Sequence, residues 1–167
     1  MLAFHTLRTR QAADTASEFS LFRFQAFLAR GDTARARRAL AEYDAWGDAG
    51  AEDSWNGSEM FSAESHVELG DTLTGWTRIE PFAQRWPAYQ INGSLFWGNS
   101  PSVGIPGAAR VVGRAWLLYA DLAMATGHLD EARRGYKMIV GMWEGGDPPV
   151  QPLVIRAKEA LAQLGGA

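Results

Sequence analysis

Three histidines, His5, His66 and His128, supply all the imidazole chemistry in the chain, and they lie in three separate segments. No HExxH or comparable spacing joins any two of them into a metal site. His128 follows a glycine at the start of a helical pattern and reads as a helix-start residue. His66 falls on the inward face of its helix and reads as a core histidine satisfied by its neighbours. The chain has no cysteine, which excludes disulfides, thiolate nucleophiles and Cys-ligated zinc. It also lacks a G-x-S-x-G elbow, a Walker loop and a GxGxxG motif. Glu59, Glu64, Glu68 and Asp71 recur at helical spacing and read as a solvated face rather than a pair of catalytic acids. These residues predict neither an enzyme nor a metal or cofactor site.

The remaining candidates are for binding. Arg30, Arg35, Arg37 and Arg38 cluster around one turn and could engage a carboxylate or phosphate. The competing reading, a solvated helix face with Glu42 and Asp44 nearby, is the favoured one. A net charge of −3 argues against a nucleic-acid surface. Asn56-Gly57-Ser58 and Asn92-Gly93-Ser94 match the glycosylation sequon, which matters only if the chain is exported. Seven tryptophans are many for 167 residues, and their size places them at packing seams or interfaces.

The elements that would position such residues are helical. In Trp116–Trp143, one face carries Trp116, Tyr119, Ala120 and Ala123; after Gly127 a second carries Ala132, Tyr136, Ile139 and Val140. That spacing predicts two helices folded back on each other, with Gly127 ending the first in a left-handed conformation. Small residues at Ala120 and Ala132 let the backbones approach, while Trp116 and Tyr136 fill the space around them.

This stretch resembles a tetratricopeptide repeat, a helix–turn–helix unit of about 34 residues. Trp116, Tyr119, Ala120, Ala123, Ala132, Tyr136 and Ile139 stand at the family's signature positions. Glu144 stands where its closing proline is usual, with Pro148 and Pro149 soon after. The resemblance implies a stacked scaffold, which is an architecture rather than an activity.

Two further segments fit the same template. Around Gly31, Phe24, Phe27, Ala36, Leu40 and Tyr43 fall in register, while Ser20 and Arg23 fit poorly. Around Gly70, Ser62, Ala63, His66, Gly75, Ile79, Phe82 and Pro87 take the template positions, although Pro81 is expected to tilt the second helix or delay its start. Gly-Asp-Thr occurs at 31–33 and again 39 residues later at 70–72, with Asp32 or Thr33 as helix N-cap. Residues 47–57 read as a loop. Residues 88–107 form an insert with an aromatic knot of Tyr89, Phe96 and Trp97, which either plugs the groove or contacts a partner. A closing helix spans 149–164, with Pro149 in its first turn and apolar residues on more than one side.

The sequence therefore predicts an all-α chain, one domain over 1–167, built as a short right-handed α-solenoid. Its hairpins lie at about 17–50, 56–89 and 113–146, followed by the closing helix. The expected function is non-catalytic: a protein–protein interaction module whose groove, by resemblance, would take in Arg23, Glu59, Ser62 and His66. One alternative is a self-assembling subunit that stacks head to tail into a filament through an apolar end. Another is the C-terminal repeat segment of a larger bacterial regulator. The expected partner is a protein or a second copy, with no nucleic acid and no membrane span, since no apolar run approaches the roughly 18–20 residues required. No secretory h-region opens the chain, so it is cytoplasmic if complete and extracellular if it is the mature part of an exported precursor.

Overall fold

The computed structural model describes residues 20–50, 58–91, 105–146 and 148–165, and every regular element among them is helical. They form α1 (20–28), α2 (Thr33–Gly50), α3 (Ser58–Glu68), α4 (Thr72–Ile91), α5 (Ile105–Ala125), α6 (Leu129–Trp143), a 3₁₀ turn (Pro148–Val150) and α7 (Gln151–Gln163). The chain divides into two compact units, residues 1–53 and 54–167.

Three turns of one design make three hairpins. Gly31, Gly70 and Gly127 take φ of 72°, 80° and 85°, a region open to glycine and costly for residues with a Cβ. The glycine amide donates to the carbonyl three residues back, as in Gly31 to Leu28 at 2.9 Å and Gly70 to Val67 at 2.9 Å. The next amide donates five back: Asp32 to Phe27 at 3.0 Å, Asp71 to His66 at 2.9 Å and His128 to Ala123 at 2.8 Å. This Schellman pairing satisfies the carbonyls that a helix end leaves open. The acid after the first two glycines then starts the next helix. Asp32 accepts the Arg35 amide at 3.1 Å and Asp71 the Thr74 amide at 3.1 Å. His128 holds the third N-cap position without a side-chain cap bond; its Nδ1 lies 2.9 Å from Thr126 Oγ1.

In the first unit, Phe24, Ala36, Ala39, Leu40 and Tyr43 are buried, as the helical spacing predicts. Arg35 lies over the Phe27 ring, 5.8 Å from its centroid. In the second unit each helix packs on the next, α3 on α4 and so on to α7, and α5 also touches α3 and α7. One apolar cluster runs through it from Met60 to Ala160. All seven template residues of the third hairpin, Trp116 to Ile139, are buried. In the second hairpin Ala63, Ile79 and Phe82 are wholly buried at the matching offsets.

Several expected boundaries move. α2 continues through Gly47 to Gly50, where a loop is expected; two glycines at a helix end cost only about 1 kcal/mol each in propensity. Pro81 does not delay α4, which starts at Thr72 and runs unbroken through Pro81 and Pro87 to Ile91. A proline there forfeits one backbone bond and crowds the carbonyl four residues back, about 3 kcal/mol. The burial of Ile79, Phe82, Ala83 and Trp86 on both sides of it offsets that cost. α5 starts at Ile105, with Pro106 harmless in its first turn. Both ends of the expected 88–107 insert are thus helical. Pro149 belongs to the 3₁₀ turn, and Pro152 takes the first turn of α7 instead.

Candidate interaction face

The seam between α5 and α6 is closed by small residues and locked by tyrosines. A Cβ at Gly135 would stand 2.8 Å from the Ala120 Cβ and 3.0 Å from the Tyr119 ring, so the two helices meet where the residue has no side chain. Beside that contact the Tyr119 hydroxyl donates to Glu131 of α6. The Tyr136 hydroxyl of α6 donates back to Asp121 of α5 at 2.8 Å. Burial, and then these bonds, push both phenols well above their ordinary titration range.

Aromatic rings join the second and third hairpins. Phe82 and Trp116 meet at 5.1 Å, Trp86 and Trp116 at 5.8 Å and 81°, and Trp76 and Tyr119 at 5.2 Å. Trp76 also stacks on His128, at 4.9 Å and 25° between planes, which makes the helix-start histidine a contact between hairpins. The Trp86 and Trp116 indole N–H groups are buried and make no hydrogen bond within the described residues. Their edge-to-face rings favour this geometry through the ring quadrupole.

Along α3, α5 and α7 a second pattern repeats. Glu64 stands six residues before Gly70, and Asp121 six before Gly127. Each acid is clasped by an arginine of the helix beyond it: Arg114 Nη2 reaches Glu64 at 2.6 Å, and Arg156 Nη2 reaches Asp121 at 2.5 Å. Both arginine side chains remain more than half exposed, at 57% and 59%. Asp121 thus holds Tyr136 through one oxygen and Arg156 through the other. Glu59, expected on a solvated face, is instead tied to Arg85 of α4 at 2.6 Å with its side chain 13% exposed. At the end of α6, where the template has proline, Glu144 pairs with Lys158 of α7 at 2.6 Å. The hydrogen bond from Lys158 holds that carboxyl below its ordinary range.

The residues singled out from sequence are scattered. Arg23 is exposed and paired with Glu42 at 3.0 Å. Ser62 is buried, and His66 is half-buried with Nδ1 3.9 Å from Asp71. Tyr89 lies in the last turn of α4. Phe96, Trp97, Asn56 and Asn92 lie outside the described residues. Of the arginine cluster, Arg35 pairs with Asp32 at 3.4 Å. Sequence reasoning missed the Glu64–Arg114 and Asp121–Arg156 clasps; the shared offset from the turn glycines was the available signal.

An open cleft of about 370 Å³ lies along α6, lined by Asp130, Arg133, Arg134, Lys137 and Met138. Its charges are largely balanced, Arg133 by Asp130 at 2.8 Å and Arg134 by Glu131 at 3.7 Å. Among the described residues no three His, Asp or Glu side chains gather as a metal site, and no helix is long and apolar enough to cross a membrane. No family model, curated protein or solved structure matches the chain.

Proposed function

We propose that this chain is a non-catalytic interaction scaffold of tetratricopeptide type, which binds a protein partner along the α3–α5–α7 face. The observation that carries the reading is the repeated clasp. Equivalent acids, Glu64 and Asp121, fix Arg114 and Arg156 in place while both arginine side chains stay more than half exposed. Arginines held this way are pre-organised, so a partner that takes their free donors orders little further side chain on binding. The shared turn and burial register of the three hairpins supports a scaffold whose parts serve to hold that face.

The test compares the wild-type chain with R114E/R156E, matched for helicity and melting temperature. Quantitative affinity enrichment should recover a defined partner set with the wild type and lose it with the variant. Equal recovery by both would overturn the assignment. Self-assembly is the second reading, favoured by Ile155, which is 56% exposed on α7. Light scattering over a concentration series separates the two: a single small species supports the scaffold, and regular growth with concentration supports a subunit of a filament.

A further inference from the structure

The first unit carries a second surface whose chemistry goes beyond that reading. Arg23, Phe27 and Arg30 recur along α1 at i, i+4 and i+7; Arg35, Arg38 and Glu42 recur along α2 at i, i+3 and i+7. Two cross-contacts set these rows side by side: Arg35 over the Phe27 ring at 5.8 Å, and Arg23 with Glu42 at 3.0 Å. Arg38 therefore stands between them on the same flank, and Arg30 borders the turn. All four arginines are exposed. Arg23 and Arg35 have acidic partners, while Arg30 and Arg38 make no ion pair among the described residues.

Arg35, in the first turn of α2, is balanced against the helix dipole by Asp32, which caps that helix and pairs with the arginine at 3.4 Å, so the open donors of the flank are those of Arg30 and Arg38. We propose that this α1–α2 flank is a docking surface for an acidic peptide segment, whose carboxylates take the guanidinium forks of Arg30 and Arg38 while its chain lies along Phe27. Fork-to-carboxylate pairing is directional and suits discrete acids. Asp32 and Glu42 interrupt the positive charge at each end of the flank. That spacing, with the chain's net charge of −3, disfavours a continuous polyanion such as a nucleic acid or an anionic membrane.

The test is fluorescence anisotropy on the full chain, with a fluorescein-labelled decapeptide of alternating Glu and Ala as the probe. Saturable binding is expected, weakening as salt rises from about 20 to about 200 mM, because exposed charge pairs are screened over that range. R30E/R38E should lose about tenfold or more in affinity, and R30K/R38K should retain part of it. The control R134E/K137E changes the net charge by the same amount on the second unit and should bind as the wild type does. Circular dichroism checks that each variant is folded, and R30Q/R38Q replaces the reversal if that one unfolds. Absence of saturable binding, or equal binding by R30E/R38E, overturns the proposal. So does tighter binding of a single-stranded oligonucleotide or of phosphatidylserine vesicles.

Discussion

Tyr119 and Tyr136 stand on opposite helices of the third hairpin, and each donates its hydroxyl to a carboxylate on the other's helix. The two bonds cross the seam in opposite directions, so sliding α5 along α6 would break both together. They turn a contact between small residues, which is tolerant of register, into one with a single setting. Y119F and Y136F should each cost about 1–2 kcal/mol, since each leaves a partly buried carboxylate short of a donor. Urea unfolding reads this as a lower midpoint at an unchanged slope. A loss below about 0.3 kcal/mol in both variants would mean that water replaces the hydroxyls without cost.

The tyrosines also set the alkaline limit of the fold. Burial, with the Asp44 charge adding to it, pushes Tyr43 up to about 12, and Tyr119 and Tyr136 are raised in the same sense. An unfolded phenol titrates near 10. The fold therefore favours the neutral form, and this stabilisation is fully present below about pH 10. It is lost as pH rises through the folded value, for Tyr43 between about 10 and about 12. Helicity should collapse in that window together with a rise in tyrosinate absorbance, and Y43F should move the midpoint upward. Ionisation of all four tyrosines near pH 10 with helicity intact would contradict the burial.

Much of this was readable from spacing. Gly31, Gly70 and Gly127 marked the turns because a left-handed residue followed by a helix start is encoded locally, in two or three positions. The buried faces followed from the 3.6-residue period. Pro81 misled because its penalty is local, whereas the burial of Phe82 and Trp86 that offsets it comes from the rest of the second unit. Gly135 gave no signal, since a helical glycine shows its use only when Ala120 is placed opposite it. The bonds from Tyr119 and Tyr136 join residues 12 and 15 apart, across a turn, and depend on side-chain directions that no period records. The insert's aromatics, Phe96 and Trp97, lie outside the described residues.

The two clasps should differ in strength. Arg114 and Glu64 form a pair whose side chains are 57% and 27% exposed, and such pairs contribute about 0–1 kcal/mol. Asp121 serves Arg156 and the buried Tyr136 together, so its loss leaves a hydroxyl and a guanidinium short of an acceptor. R114A should change the melting temperature hardly at all, while D121A should cost about 2 kcal/mol. A double-mutant cycle on Asp121 and Tyr136 should show coupling above about 0.5 kcal/mol. Additive losses would mean that the two side chains act separately.

Two glycines six residues apart in α6 give opposite expectations. At Gly141 a Cβ meets nothing within 4 Å, so G141A gains helix propensity, about 0.5–1 kcal/mol. At Gly135 the same change gains the same propensity but drives a methyl group to 2.8 Å from Ala120. The helices must part there, and overpacking of this kind costs about 1–3 kcal/mol. G141A should therefore raise the melting temperature and G135A should lower it. Adding A120G to G135A removes the opposing methyl and should recover part of the loss, less the cost of a second helical glycine. If G135A were as stable as G141A, the close approach of α5 and α6 could not be what fixes the third hairpin, and the tyrosine bonds would have to hold it alone.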